Sequence, residues 1–153
     1  MKPLRDFNAA ERLWAAGFLG LAGLGLLVAV AQVHLDSGLA LEGLKARFAG
    51  PETDAIATHS FASLLQSTHT HVFTLAFLQL ALGAFFLASS ASPAWKKSLA
   101  GGAFLLILCD QASMWMVHLA GPAWVPALWI SGSLMMLAMG LEIGCCLKEL
   151  CFG

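Results

Sequence analysis

Charge is what this chain has least of. Only 11% of its 153 residues are Asp, Glu, Lys or Arg and 59% are hydrophobic, whereas a soluble domain carries roughly a quarter charged residues and less than half apolar ones. Too few charges remain to cover a water-facing surface, which excludes a soluble globular enzyme. Tyrosine is absent, and the aromatic residues are ten Phe and five Trp. With a net charge of -1 there is no basic surplus to neutralise phosphates, so a nucleic-acid partner is excluded as well. The four cysteines, Cys109, Cys145, Cys146 and Cys151, form no C-x-x-C pair and no C-x-x-C-H sequence, so a thioether-attached haem is ruled out. No internal repeat, low-complexity tract or second domain is visible, and the length suits one domain.

Apolar runs are what the chain has in abundance. A membrane helix needs roughly 20 mostly apolar residues to span about 30 Å of hydrocarbon. Four stretches meet that requirement, with spans expected at about 13–34, 69–91, 98–119 and 123–147. The first carries no charge. The second holds Gln79, the third Asp110 and Gln111, and the fourth Glu142. Ala29-Val30-Ala31 gives the first run some likeness to a secretory signal, but it is longer than a signal's apolar core and is expected to be a retained helix. The fold class is therefore all-α: an integral membrane antiparallel four-helix bundle, with Gly17, Gly20 and Gly23 on span one and Gly140 and Gly144 on span four allowing close backbone approach.

An even number of spans places both termini on one side. Lys2, Arg5, Arg12, Lys96, Lys97 and Lys148 fall on that side, and only Lys45 and Arg47 on the other, where Asp36, Glu42, Glu52 and Asp54 outweigh them. The positive-inside bias then makes the termini cytoplasmic in a bacterial inner membrane and the opposite face periplasmic. The connection over 35–68 is too long for a bare loop. Leu41, Leu44 and Phe48 fall at i, i+3 and i+7 after the capping candidates Asp36 and Ser37, and Gly50-Pro51 stops the pattern. This reads as an amphipathic helix at the interface. A second helical piece starting at Thr53 or Asp54, with Ile56, Leu64 and Leu65 on its apolar side, runs on toward span two.

The five histidines all fall on the periplasmic side: His34 ends span one, His59 lies in the connection, His69 and His71 open span two, and His118 closes span three. Beneath them Asp110 lies eight residues inside His118, about 12 Å deeper at 1.5 Å per residue. Gln79, Ser131 and Ser133 are expected at matching depth, and Gln111, Met114 and His118 share one face of span three. An acid in hydrocarbon must face the bundle interior, pair or stay protonated. Glu142 lies nearer the inner end and is expected to pair with Arg12 or reach interfacial water.

Two chemistries suit those histidines. Haem b can be held between membrane helices by one imidazole from each of two of them. His71 is the leading axial ligand, His118 or His34 its partner, and His69 a neighbouring or alternative group, with Phe73, Leu75, Phe77 and Leu78 as apolar walls. Alternatively, if His69-Thr70-His71 is extended rather than helical, both rings can reach one copper, zinc or iron ion, with His34, His59 or His118 as a third ligand. The competing account is structural: histidine suits a membrane interface, where it can cap helix ends or bond to carbonyls.

The Gly50-terminated amphipathic segment, the run His69-Thr70-His71-Val72-Phe73, the run Asp110-Gln111-Ala112-Ser113-Met114-Trp115 and the pair Ser131-Gly132 together resemble a group of small four-helix bacterial inner-membrane proteins. The resemblance covers most of the chain and implies that the His-Thr-His run and Asp110 belong to one site. His-x-His opening a span is also similar to one haem-ligating helix of the haem-copper oxidase and nitric oxide reductase core subunits. The expectation is a membrane electron-transfer or cofactor-holding subunit rather than an enzyme by itself, exchanging electrons with a quinone or a neighbouring subunit, in a larger complex or a homo-oligomer. The alternative is a non-catalytic accessory subunit that stabilises such a complex.

Overall fold

A computed structural model of the chain describes residues 2–38, 40–49 and 61–152. Six α-helices follow in chain order: α1 (Ala9–Ser37), α2 (Leu41–Ala49), α3 (Phe61–Ala88), α4 (Pro93–Lys96), α5 (Gly102–Ala120) and α6 (Val125–Phe152). A π-helical turn, Lys97–Gly101, fuses α4 to α5, so that Pro93–Ala120 is one helix; with Ala9–Asp36, Leu64–Ala88 and Pro122–Phe152 it makes four helices long and apolar enough to span a membrane. The architecture is a helical membrane bundle.

The sequence marks the ends of these helices. Asn8 caps α1 with a reciprocal box: its Oδ1 accepts from the Glu11 amide at 2.9 Å, and Glu11 Oε2 accepts from the Asn8 amide at 2.7 Å. At the other end Gly38 takes the left-handed conformation (φ 72°) and donates its amide to His34 O, the conformation for which glycine costs least. Ser92 caps α4 ahead of Pro93. Gly121, with φ 91°, turns the chain from α5 into the short 3-10 turn Pro122–Trp124 that leads to α6.

The centre of the bundle is α6, which packs against α1, α3 and α5, while α3 and α5 also pack on each other. Its buried stripe, including Met135, Met139, Ile143, Cys146 and Leu150, meets Leu19, Leu82, Phe86 and Ile107. The α1–α6 crossing uses the expected glycines in part. A Cβ on Gly23 would touch Ile143 and one on Gly140 would touch Leu26, both at 3.6 Å, whereas Gly17, Gly20 and Gly144 have open space. At the end where the termini meet, the N-terminal turn Leu4–Asp6 packs on α6 with Leu4 fully buried. Arg12 ties that end together by donating to Phe7 O (3.1 Å), Leu150 O (2.8 Å) and Arg5 O (2.9 Å). It does not pair with Glu142.

Three boundaries differ from expectation. The first helix runs through Asp36 and Ser37, so α2 begins only after Gly38. Residues 61–68, expected as the end of a helical piece running on toward span two, are helical and form one helix with that span, so the helix does not open at His69, because Phe61, Leu64 and Leu65 carry the apolar pattern onward without a breaker. The fourth helix extends through Lys148 and Glu149 to Phe152. Gly50-Pro51, the helix start at Thr53 or Asp54, Ile56 and His59 lie outside the described residues.

Candidate functional site

The end of the bundle opposite the termini is organised by α3 and α5. Trp115 Nε1 donates to Thr68 Oγ1 at 2.9 Å, and the Phe61 ring meets the Trp115 ring edge-on at 5.6 Å. One turn deeper, His71 Nδ1 lies 3.2 Å from Ser67 Oγ, on the same helix. His71 is exposed. It stands seven residues into the candidate span Leu64–Ala88, about 10 Å below that span's end at 1.5 Å per residue.

Facing it from α5 is the acid. Asp110, half-buried, accepts from the Gln111 amide at 3.0 Å and lies within electrostatic reach of the His71 imidazole. Its Oδ1 rests against α6 at Gly132, where a Cβ would stand only 3.0 Å away. Glycine there makes the notch that admits the carboxylate. Gly132→Val is therefore expected to overpack the notch and cost about 1–3 kcal/mol, read as a lower unfolding temperature in detergent. Asp110→Ala should recover part of the loss in the double variant, and an unshifted unfolding temperature in Gly132→Val would contradict the notch.

The remaining site candidates are dispersed. His69 and His71 lie within α3 rather than at its opening, so helical geometry turns their side chains about 200° apart. His69 packs on Phe73 at 5.1 Å. The extended His-Thr-His approach to one ion is thus replaced by helix. His118 is exposed in the last turn of α5, and His34 is exposed on α1, which packs chiefly on α6. Among the described residues, no three of His, Cys, Asp and Glu stand together so as to hold a metal ion. Ser131 is buried, but its hydroxyl donates to Ala127 O and Leu128 O of its own helix rather than to Asp110. Gln111 is buried, and its Oε1 has no hydrogen-bond partner.

Gln79 belongs to a different layer from Asp110. Its Nε2 donates to both carboxylate oxygens of Glu142, each at 3.1 Å, with both residues fully buried. Counting from the helix ends near the termini would have shown this, because Gln79 lies nine residues before the end of α3 and Glu142 ten before the end of α6. Counting from the far end failed because α3 starts earlier than span two was expected to. The Ser67 and Thr68 contacts were missed for the same reason.

Residues 38–153 match the model of the Aq_1264_TM family, described as a transmembrane helical domain. The chain belongs to that family. No curated protein and no solved structure matches it. The matched segment opens at Gly38, the C-cap of α1, and includes His71, Asp110, Gln111, Gly132, His118 and the Gln79–Glu142 pair. His34 and the rest of α1 precede it.

Proposed function

We propose that the chain is a cofactor-holding, electron-transfer subunit of a membrane complex, binding haem b near the end of the bundle opposite its termini through His71. The observation that carries this reading is the setting of that imidazole. It is exposed within a membrane-spanning helix, with Ser67 at its Nδ1 and the Asp110 carboxylate in electrostatic range. A ligating histidine commonly gives its second nitrogen to a hydrogen-bond acceptor, which fixes the ring and leaves Nε2 free for the metal. Ser67 Oγ is placed to accept from Nδ1–H in that way. His118, on the adjacent helix α5, is the candidate second ligand, with His34 an alternative. His69 faces away. Haem would supply one-electron chemistry, and the chain's own residues would orient the ring and set the charge beside it. A quinone or a neighbouring subunit would exchange the electrons.

A second reading also has support. The four described histidines are exposed, which suits an accessory subunit with interfacial histidines that packs against a larger complex. A reduced-minus-oxidised absorption spectrum of the detergent-purified protein separates the two. The haem reading expects b-type bands. A colourless preparation free of iron, copper and zinc by elemental analysis favours the accessory reading, and copper, zinc or iron without haem favours a His-bound ion instead.

The basic residues Lys2, Arg5, Arg12, Lys96, Lys97 and Lys148 support cytoplasmic termini and a periplasmic His71. A green fluorescent protein fused after Gly153 is accordingly expected to fluoresce and an alkaline phosphatase fusion there to be inactive. The reverse pair of results would invert the orientation.

A further inference from the structure

Glu142 is a fully buried carboxyl in the half of the bundle nearer the termini, and no cationic side chain pairs with it among the described residues. At the terminal end the structure shows the ion pairs Lys2–Glu11 and Arg5–Asp6, neither of which involves Glu142. Arg12 spends its donors on three carbonyls. From His71 to its end, α3 carries no titratable side chain. The helix Pro93–Ala120 offers Lys96 and Lys97 at its terminal end, Cys109 and Asp110 farther along and His118 near its far end, while α1 offers Glu11 and Arg12 near its start and His34 and Asp36 near its far end. α6 itself carries Cys145, Cys146, Lys148, Glu149 and Cys151 beyond Glu142; Lys148 is exposed, and Cys146 lies within electrostatic range of both Glu142 and Glu149. Among the described residues the polar partner of Glu142 is Gln79.

That partner is half satisfied. Gln79 Nε2 faces both carboxyl oxygens, yet its Oε1 is buried with no hydrogen-bond partner. An ionised carboxylate can only accept, so it can do nothing for that oxygen. A protonated carboxyl carries an O–H that can donate to Oε1 while the amide N–H donates to the other carboxyl oxygen, closing a ring of two hydrogen bonds. Turning the carboxamide to bring Oε1 to the carboxyl forms that ring. A Cβ on Gly83 would stand 3.7 Å from both Gln79 Nε2 and the Ala100 side chain, at the π-helical turn of the neighbouring helix, and such turns recur at functional positions.

We propose that Glu142 and Gln79 form a proton-holding site, loaded from the terminal end of the bundle by way of Glu149. Glu149 lies seven residues beyond Glu142 on the same helix, about 10 Å along it, with buried Cys146 between them. Its Oε2 accepts from the Ser90 amide (2.6 Å) and hydroxyl (2.9 Å), and its buried Oε1 is unpartnered. It lines a cavity of about 370 Å³ with Arg5, Ser89, Ser90 and Lys96. Toward the other end, buried Met139 and Met135 separate Glu142 from Ser131 and the Asp110 layer, so the site exchanges protons with one face only.

Infrared difference spectroscopy of the full chain in liposomes, on exchange of H2O for D2O at neutral pH, tests this. The expected result is a protonated-carboxyl stretch that shifts in D2O. It should be missing in Glu142→Gln, present in Glu142→Asp, displaced in frequency in Gln79→Leu, and exchanged several-fold more slowly in Glu149→Gln. Helix content by circular dichroism checks that each variant is folded. A wild-type spectrum without the band, or a band unchanged in Glu142→Gln, overturns the proposal. Loss of the band on adding sodium at constant pH would make this a sodium site and overturn it too. Equal exchange rates in wild type and Glu149→Gln would remove the route. None of these readouts depends on haem.

Discussion

His71→Ala is expected to abolish haem binding, leaving no b-type bands in a reduced-minus-oxidised spectrum, while the helix content of the purified protein stays unchanged. His71 is exposed, and of its ring atoms only Nδ1 makes a hydrogen bond, to Ser67 on its own helix. Removing the imidazole therefore takes little packing from the bundle, and loss of colour would report loss of a ligand rather than unfolding. The neighbouring variants sharpen the expectation. Ser67→Ala should keep the haem and move its midpoint potential, because the partner at Nδ1 governs the basicity of the ligating ring. His69→Ala should be silent, since helix places that ring on another side of α3. His118→Ala should convert a six-coordinate spectrum to a five-coordinate one if α5 supplies the second ligand, and His34→Ala should do so if α1 does. Retention of unaltered bands in His71→Ala would exclude it as the ligand.

The second large effect is expected at the buried Gln79–Glu142 pair. Gln79→Leu leaves a buried carboxyl with no partner, and Glu142→Leu leaves a buried carboxamide with none, each costing about 1–3 kcal/mol. The double variant Gln79→Leu/Glu142→Leu removes both polar groups together and should cost less than the two losses summed, with a coupling of about 0.5–3 kcal/mol. Thermal unfolding of the four proteins in one detergent measures the cycle. Strict additivity would show that the two side chains, 3.1 Å apart, contribute independently, contrary to the structure.

Much of the fold could be read from the residues, because a membrane span is specified by length and hydropathy alone. The four spans, a helix over Leu41–Ala49 and the shared end of the two termini follow from apolar runs, their spacing and an even count. Depth was harder. No breaker separates Phe61–Thr68 from the residues that follow, and counting depth from His69 rather than from that earlier stretch put Gln79 beside Asp110 and the two histidines at a helix opening. Asp110 was expected to face the bundle, and it does, against α6. Its contact with Gly132 depends on the rotation of α6 about its own axis, which spans that are apolar on every side do not encode. The same holds for Ser131, whose hydroxyl turned to its own backbone. Arg12 was expected beside Glu142 because charge seeks charge in hydrocarbon, but the carbonyls at the ends of α6 and the N-terminal turn claim its donors first.

Haem quantification by the pyridine haemochrome assay, on protein purified in mild detergent from haem-replete cells, tests the central claim most directly. Haem b in stoichiometric proportion to the chain, lost in His71→Ala, is the result predicted. A folded, helical wild-type protein that contains no haem and takes up none on titration would contradict it.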